Sequence, residues 1–301
     1  MSTVAVLGAG IMAREIIVHL RATGHRLRLY NRTRARIEEL SCAGDELCGS
    51  AAEAADGADI VLSFVSDDAA AESVWLGRSG ALRTLRPGNY AVECSTLSVQ
   101  FTDRWADECR VRGVRAVDCA LTGSRQRAAE ADLIAFAGGP SEHLDDLAPF
   151  LGVFCGEIIR FGKVGSGMRY KLVHNLAAAS ALVGLAEALS LAEACELDPE
   201  LVVRTLSSWG WAAPVAQSKG RQMAELAFDD VMCSVTNLGK DVAYAAAAGV
   251  SLGTSLPLAE KIAEQFSRAV SVGAGAFDMA AVRSAYPAKR NGLNDDAQQQ
   301  Q

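Results

Sequence analysis

Residues 3–13 read Thr3-Val4-Ala5-Val6-Leu7-Gly8-Ala9-Gly10-Ile11-Met12-Ala13, and this stretch decides the fold. Thr3–Leu7 has the short apolar character of a strand, and Met12–Ala22 that of a helix. Between them Gly8, Gly10 and Ala13 satisfy G-x-G-x-x-G/A. Gly8 permits the tight turn, Gly10 lets the backbone approach a pyrophosphate, and the small Ala13 lets helix pack closely on strand. A pyrophosphate would rest against the open amides of the helix start, where the macrodipole favours negative charge. The candidate contacts are Gly8, Ala9, Gly10, Ile11 and Met12. The competing reading is a glycine turn that serves packing alone.

Working outward, the second strand, Arg26–Tyr30, runs into Asn31-Arg32-Thr33-Arg34-Ala35-Arg36. NAD enzymes of this fold place an acid about 20 residues beyond the glycines to hold the ribose 2′-hydroxyl. Here Asn31 stands in that place and arginines follow. An acid would repel a 2′-phosphate, whereas a guanidinium and a hydroxyl hold one through charge-assisted hydrogen bonds. The expected cofactor is therefore NADP(H) in preference to NAD(H), with Asn31, Arg32 and Thr33 as contacts. Arg34 and Arg36 equally suit a solvated helix start.

Ile60–Val65, Tyr90–Glu93, Val114–Val117, Leu133–Ala137 and Ile158–Phe161 continue the strand pattern, with helix-like or turn-like segments between. This predicts an α/β Rossmann domain with a doubly wound, mainly parallel sheet. The character changes near residue 163. Met168–Cys195 contains no Pro and a single Gly, which predicts an interdomain helix roughly 40 Å long. Beyond it only helical patterns follow: Pro199–Ser208, Gly220–Leu226, Val235–Ala248 and Leu256–Val272. The expected division is an NADP-binding domain at 1–163, an all-α substrate and dimerisation domain at 164–290, and a disordered tail at 291–301.

The composition of the 301 residues, 50% hydrophobic and 22% charged, suits two folded cores. A net charge of −7 argues against nucleic acid and anionic membrane as partners. The longest apolar stretch, Leu176–Ala186, is too short to span a bilayer, and a cytoplasmic location is expected. The eight cysteines include no C-x-x-C pair and are expected to be free thiols, mostly buried. His19, His25, His143 and His174 are dispersed without ligand spacing, so no metal is expected.

Three segments carry chemistry. Glu93-Cys94-Ser95-Thr96 closes a strand, where loops face the cofactor crevice. Thr122-Gly123-Ser124 is a small turn of hydroxyls and amides suited to a carboxylate. Lys171 and Asn175, four residues apart, share one face at the start of the long helix. A lysine at the buried start of an apolar helix either snorkels to solvent or meets a group with which it exchanges a proton.

Taken together these segments resemble the β-hydroxyacid dehydrogenase family, which includes 3-hydroxyisobutyrate dehydrogenases, tartronate semialdehyde reductases and glyoxylate/succinic semialdehyde reductases. The resemblance runs from about residue 3 to 290 through the glycine loop, Cys94-Ser95-Thr96, the Asp118-to-Ser124 turn, Gly165-x-Gly167…Lys171-x-x-x-Asn175 and Lys240-Asp241. It implies hydride transfer between the cofactor and a small β-hydroxy acid or its semialdehyde or keto acid partner. Lys171 would be the acid/base, and Asn175 would hold the substrate or orient the lysine. Thr122, Gly123 and Ser124 would bind the substrate carboxylate. Thr96 and Lys240 would contact the cofactor near its nicotinamide end, as would Val65, Ser66 and Ala70. A homodimer is implied, with a tetramer as the alternative.

The sequence departs from the family at several places. Thr122 stands where serine is common, Ala120 where proline is, and Val65-Ser66-Asp67 where Leu-Pro is. Glu130-Ala131-Asp132 lacks a glycine often found there. These changes leave the reaction type and open the substrate. Gly123-Ser124-Arg125 resembles the glyoxylate/succinic semialdehyde branch. Arg125 fits either a second carboxylate or the surface, and Trp209 and Trp211 either a pocket wall or core packing. Two other readings compete: an NADPH-dependent imine reductase, which commonly carries Asp or Tyr in place of Lys171, and a non-catalytic NADP-binding scaffold. Lys171 argues against the first, and Lys171, Asn175 and Thr122–Ser124 together weigh against the second.

Overall fold

The computed structural model describes residues 2–286; the tail expected at 291–301 lies outside the described residues. Short aliphatic runs form strands β1 (Thr3–Leu7), β2 (Arg26–Tyr30), β3 (Glu46–Leu47), β4 (Ile60–Ser63), β5 (Tyr90–Glu93), β6 (Arg115–Thr122), β7 (Leu133–Gly138) and β8 (Cys155–Arg160). They make one eight-stranded sheet in the order β3-β2-β1-β4-β5-β6-β7-β8. Neighbours are parallel except β6 and β7. β1, β4 and β5 are buried almost throughout because both sheet faces are covered, which is why they read as unbroken apolar runs. On one face Ile16, Ile17 and Leu20 pack with Leu27, Leu29, Phe150 and Phe154. On the other, Trp75, Leu82, Phe101 and Trp105 pack together.

From β1 the chain winds outward through β2 and β3, then returns to lay β4 on the other side of β1. That reversal opens a crevice at the C-terminal ends of β1 and β4, where ligands bind in open α/β sheets. β6 is longer than the expected Val114–Val117. Its second half, Asp118–Thr122, pairs antiparallel with β7, and tertiary pairing thus extends a segment whose own sequence looks like a turn.

The chain divides into two compact units. The first comprises the described residues up to His174 with Ala247–Gly253, and the second those of Asn175–Ala246 and from Thr254 onward. The first unit runs past residue 163 because the start of the long helix, Ser166–Ala194, is tied into it. The buried Asp118 carboxylate accepts the N–H groups of Gly165 and Met168. A Cβ on Gly167 would lie 2.3 Å from the Phe136 carbonyl oxygen, so only glycine lets the helix settle on β7.

In the second unit Leu182, Leu185, Leu189, Leu238, Val242, Ile262 and Phe266 form the core. The long helix has 29 residues with a mean hydropathy of 1.5 over its most apolar window, long and apolar enough to cross a membrane. That exceeds what Leu176–Ala186 alone suggested. Ala179, Leu182, Val183, Leu185, Ala186 and Leu189 nevertheless belong to the core of this unit. All eight cysteines are free thiols, and Cys48, Cys94, Cys109, Cys119 and Cys155 are buried.

Candidate active site

The glycine loop shows two separate reasons for glycine. Gly8 has φ +111°, and a Cβ there would sit 2.1 Å from the Phe64 carbonyl oxygen. Backbone conformation and packing both demand it. Gly10 has φ −75°, and a Cβ on it would meet no atom within 4 Å. Nothing inside the protein requires that glycine; it keeps the space over the helix start open. No acidic residue or side-chain cap occupies that helix start, Ile11–Ala22. The loop therefore fits a pyrophosphate, and packing alone does not account for it.

Some expected contacts serve the loop itself. The Ala9 N–H donates to Asn31 Oδ1 at 3.1 Å, and Asn31 Nδ2 donates to the Thr33 carbonyl at 2.7 Å. Asn31 thus braces the end of β2 against the glycine loop. Arg34 is engaged with Glu38 at 2.9 Å. Arg32 and Thr33 are exposed, which leaves the Arg32 guanidinium turned to solvent beside the loop. Across the crevice Val65 N–H donates to Ser95 Oγ at 2.8 Å, Ser66 Oγ donates to Asp67 Oδ2 at 2.7 Å, and Ala70 N–H donates to Asp67 Oδ1 at 2.9 Å. The amides of Val65 and Ala70 are therefore spent within the protein; both residues are half-buried, and Val65 packs against the core. Thr96 is half-buried at the end of this network.

Beneath the network lies Glu93, fully buried. It accepts Trp75 Nε1–H at 2.6 Å and Ser95 N–H at 2.7 Å. Burial pushes its carboxyl from 4.5 up to about 7, against the pull of those hydrogen bonds. Asp118 is raised in the same way to about 6. Below pH 4.5 Glu93 is protonated both folded and unfolded. Between about pH 4.5 and 7 the unfolded chain releases the proton and the folded chain keeps it, so stability falls as pH rises through that window. The loss from Glu93 is on the order of 3 kcal/mol. Urea midpoints should accordingly drop between pH 5 and 7.5 in the native protein, and drop less in Glu93→Gln. A native midpoint that climbs over this range would contradict a protonated Glu93.

The substrate-side residues of the first unit come together at the end of β6. Gly123 has φ +143°, and a Cβ there would lie 2.8 Å from Leu133 Cδ2. Ser124 Oγ accepts the Arg127 N–H at 3.1 Å. That uses a lone pair and leaves the hydroxyl proton to donate elsewhere. Thr122 Oγ1 lies 3.3 Å from His174 Nε2. Lys171, one turn before His174, is only 8% exposed, so nearly the whole side chain is buried. In the second unit Asn175 Nδ2 donates to Asp241 Oδ2 at 2.6 Å, and Lys240 Nζ pairs with Asp241 Oδ1 at 2.9 Å. Lys240 also sits over the Tyr244 ring at 5.1 Å.

Residues 3–162 match the family described as the NAD binding domain of 6-phosphogluconate dehydrogenase, and residues 165–286 match the NAD-binding domain of NADP-dependent 3-hydroxyisobutyrate dehydrogenase. The chain belongs to the β-hydroxyacid dehydrogenase family. This is a family of NAD(P)-dependent hydroxyacid dehydrogenases and reductases. The chain is 27% identical to glyoxylate/succinic semialdehyde reductase 1 of Arabidopsis thaliana over 279 residues, 93% of this chain and 96% of the relative. A solved 3-hydroxyisobutyrate dehydrogenase of Mycobacterium tuberculosis matches with a TM-score of 0.82 and 25% identity, covering 94% of this chain and 98% of that one. One from Salmonella typhimurium has the same fold, with a TM-score of 0.82, 21% identity and coverage of 94% and 99%.

In this β-hydroxyacid dehydrogenase two groups do more than their local sequence suggests. Asp118 reads as the first residue of a motif, yet it anchors the helix that carries Lys171. Glu93 reads as a strand end, yet it supports the loop holding Ser95. Trp209 and Trp211, expected either in a pocket wall or in core packing, are 75% and 103% exposed, so neither packs in a core. Among the described residues one group of possible metal-ligand atoms, on Glu46, Cys48 and Glu53, lies within 4.8 Å. Glu46 is paired with Arg28 at 2.9 Å and Glu53 accepts the Gly49 N–H at 2.7 Å, so both carboxylates have partners within the protein.

Proposed function

We propose that this β-hydroxyacid dehydrogenase transfers hydride between NADP(H) and a small β-hydroxy acid or its semialdehyde or keto acid partner, with Lys171 as general acid/base. The observation that carries this reading is the buried Lys171 in the unit that also holds the open glycine loop and the Thr122-Gly123-Ser124 turn. The nicotinamide, when bound, supplies or accepts the hydride at the carbonyl carbon. In the reducing direction Lys171 gives a proton to the carbonyl oxygen as it becomes a hydroxyl, and in the other direction it takes that proton back. An ammonium held in a buried position interacts strongly with an oxygen gaining negative charge, because little water screens the two. Thr122 and Ser124 offer hydroxyl protons to the substrate carboxylate and Gly123 its amide. Asn175, held by Asp241, lies one turn further along the helix.

The test is oxidation of NADPH and of NADH against glyoxylate, succinic semialdehyde, methylmalonate semialdehyde, tartronate semialdehyde and a cyclic imine. NADPH-dependent reduction of a carbonyl acid is expected; turnover of the imine alone would overturn the reading. Arg32 supports the cofactor preference because its charge lies beside the loop. A hydrogen bond to a charged group contributes about 1.5–3 kcal/mol. Arg32→Glu should therefore raise KM for NADPH at least about tenfold and leave KM for NADH nearly unchanged. Equal effects on both cofactors would remove Arg32 from 2′-phosphate recognition.

A further inference from the structure

His174 has no role in the reading above, yet its ring touches the Thr122 hydroxyl. Its Nε2 lies 3.3 Å from Thr122 Oγ1. The ring is held by aromatic neighbours: Phe136 at 5.3 Å between centroids and Tyr170 at 6.4 Å, with Phe161 stacked on Tyr170 at 4.0 Å. Phe136 meets the Tyr170 edge at 4.7 Å. Burial and the nearby Lys171 ammonium both disfavour a charged imidazole. A neutral ring has one donor nitrogen and one acceptor nitrogen, so the Thr122–His174 bond has two possible directions.

The direction matters for what Thr122 shows to a ligand. If Thr122 donates to Nε2, its remaining lone pairs face outward and repel a carboxylate. If Nε2–H donates to Oγ1, the threonine proton is free to point outward as a donor. Threonine is stiff about χ1, so the strand and the imidazole together fix where that oxygen sits.

We propose that His174 is a positioning residue that donates its Nε2 proton to Thr122 and so turns the Thr122 hydroxyl into a donor for the substrate carboxylate. This rests on the reading that Thr122-Gly123-Ser124 hold such a carboxylate. It also makes His174 a determinant of specificity for acids over neutral carbonyl compounds. His174→Phe keeps the aromatic wall and deletes the donor; His174→Gln keeps an amide donor at a similar reach.

Two measurements on the full chain test the idea. The first is nitrogen NMR of protein labelled at histidine, with NADP+ present and malonate as a non-reducible carboxylate probe; loss of a signal in His174→Gln assigns it. The expected result is an Nε2–H tautomer whose shift responds to malonate, with that response absent in Thr122→Val. The second is kinetics with glyoxylate and NADPH. His174→Phe should raise KM about three- to tenfold with kcat changed far less, and should add nothing further in a Thr122→Val background. His174→Gln should restore most of KM. An unprotonated Nε2 in the malonate complex, or the same KM increase in both backgrounds, sinks the proposal. Absence of turnover with every carbonyl acid counts against hydride transfer instead, and the NMR result then decides His174 by itself.

Discussion

Lys171→Ala is expected to lower kcat for carbonyl reduction by about 10²–10⁴-fold, the usual worth of a positioned acid/base, while NADPH still binds. The glycine loop that would hold the cofactor phosphates is built from Gly8, Gly10 and the Ile11–Ala22 helix start, none of which depends on the lysine. Loss of turnover with cofactor binding retained therefore separates chemistry from folding. Lys171→Arg should be nearly as inactive, because a guanidinium keeps its proton throughout the working pH range. Stopped-flow reduction and NADPH fluorescence titration of the same preparations read the two quantities. A Lys171→Ala enzyme with near-native kcat would remove the lysine from catalysis. A native protein that binds NADPH and reduces nothing would favour the scaffold reading.

The second large effect concerns stability of the helical unit. Lys219 Nζ lies 2.8 Å from Asp278 Oδ1, with the two side chains 7% and 0% exposed. Asp278 also accepts the Met232 N–H at 2.9 Å and the Ala280 N–H at 3.0 Å. It thus ties three chain segments together. Asp278→Ala strands an ammonium in the interior and leaves two backbone donors without their acceptor. Breaking such a pair from one side costs about 3–5 kcal/mol, and the unfolding transition should shift to markedly lower temperature. Lys219→Met leaves the carboxylate unpaired and should also destabilise. The double variant Lys219→Met with Asp278→Ala should lose less than the sum of the two single losses, since no unpaired charge remains. Thermal melts of the four proteins check this. Strictly additive losses in the double variant would mean that the pair acts through its separate contacts only.

Much of the fold was legible because its signals are local. Gly8 and Ala13 flank a strand-to-helix turn, and β1 and β5 are apolar runs of the length that strands need. The long helix was legible from the absence of Pro over residues 168–195, and Lys171 and Asn175 from their spacing of one helical turn. The second half of β6 was not. Cys119–Thr122 becomes strand only because β7 returns antiparallel beside it, and nothing within those four residues announces the partner. Asp118 was readable as part of a motif but not as the acceptor for Gly165 and Met168, which lie 47 and 50 residues away.

The alternation of strands and helices, the open glycine loop, the basic end of β2 and a lysine where an apolar helix begins are written in the residues themselves. These follow from residue type and from periods of two and 3.6, which a chain carries wherever it folds. Which amides are spent, and which side chains still have a proton to offer, depends on how the folded chain brings its segments together. Asn31 turned out to brace the loop, Ser124 to use one lone pair on Arg127, and Thr122 to face His174. Hydrogen bonds between residues far apart in the chain depend on which segments the fold brings within about 3 Å, and no local pattern encodes that meeting.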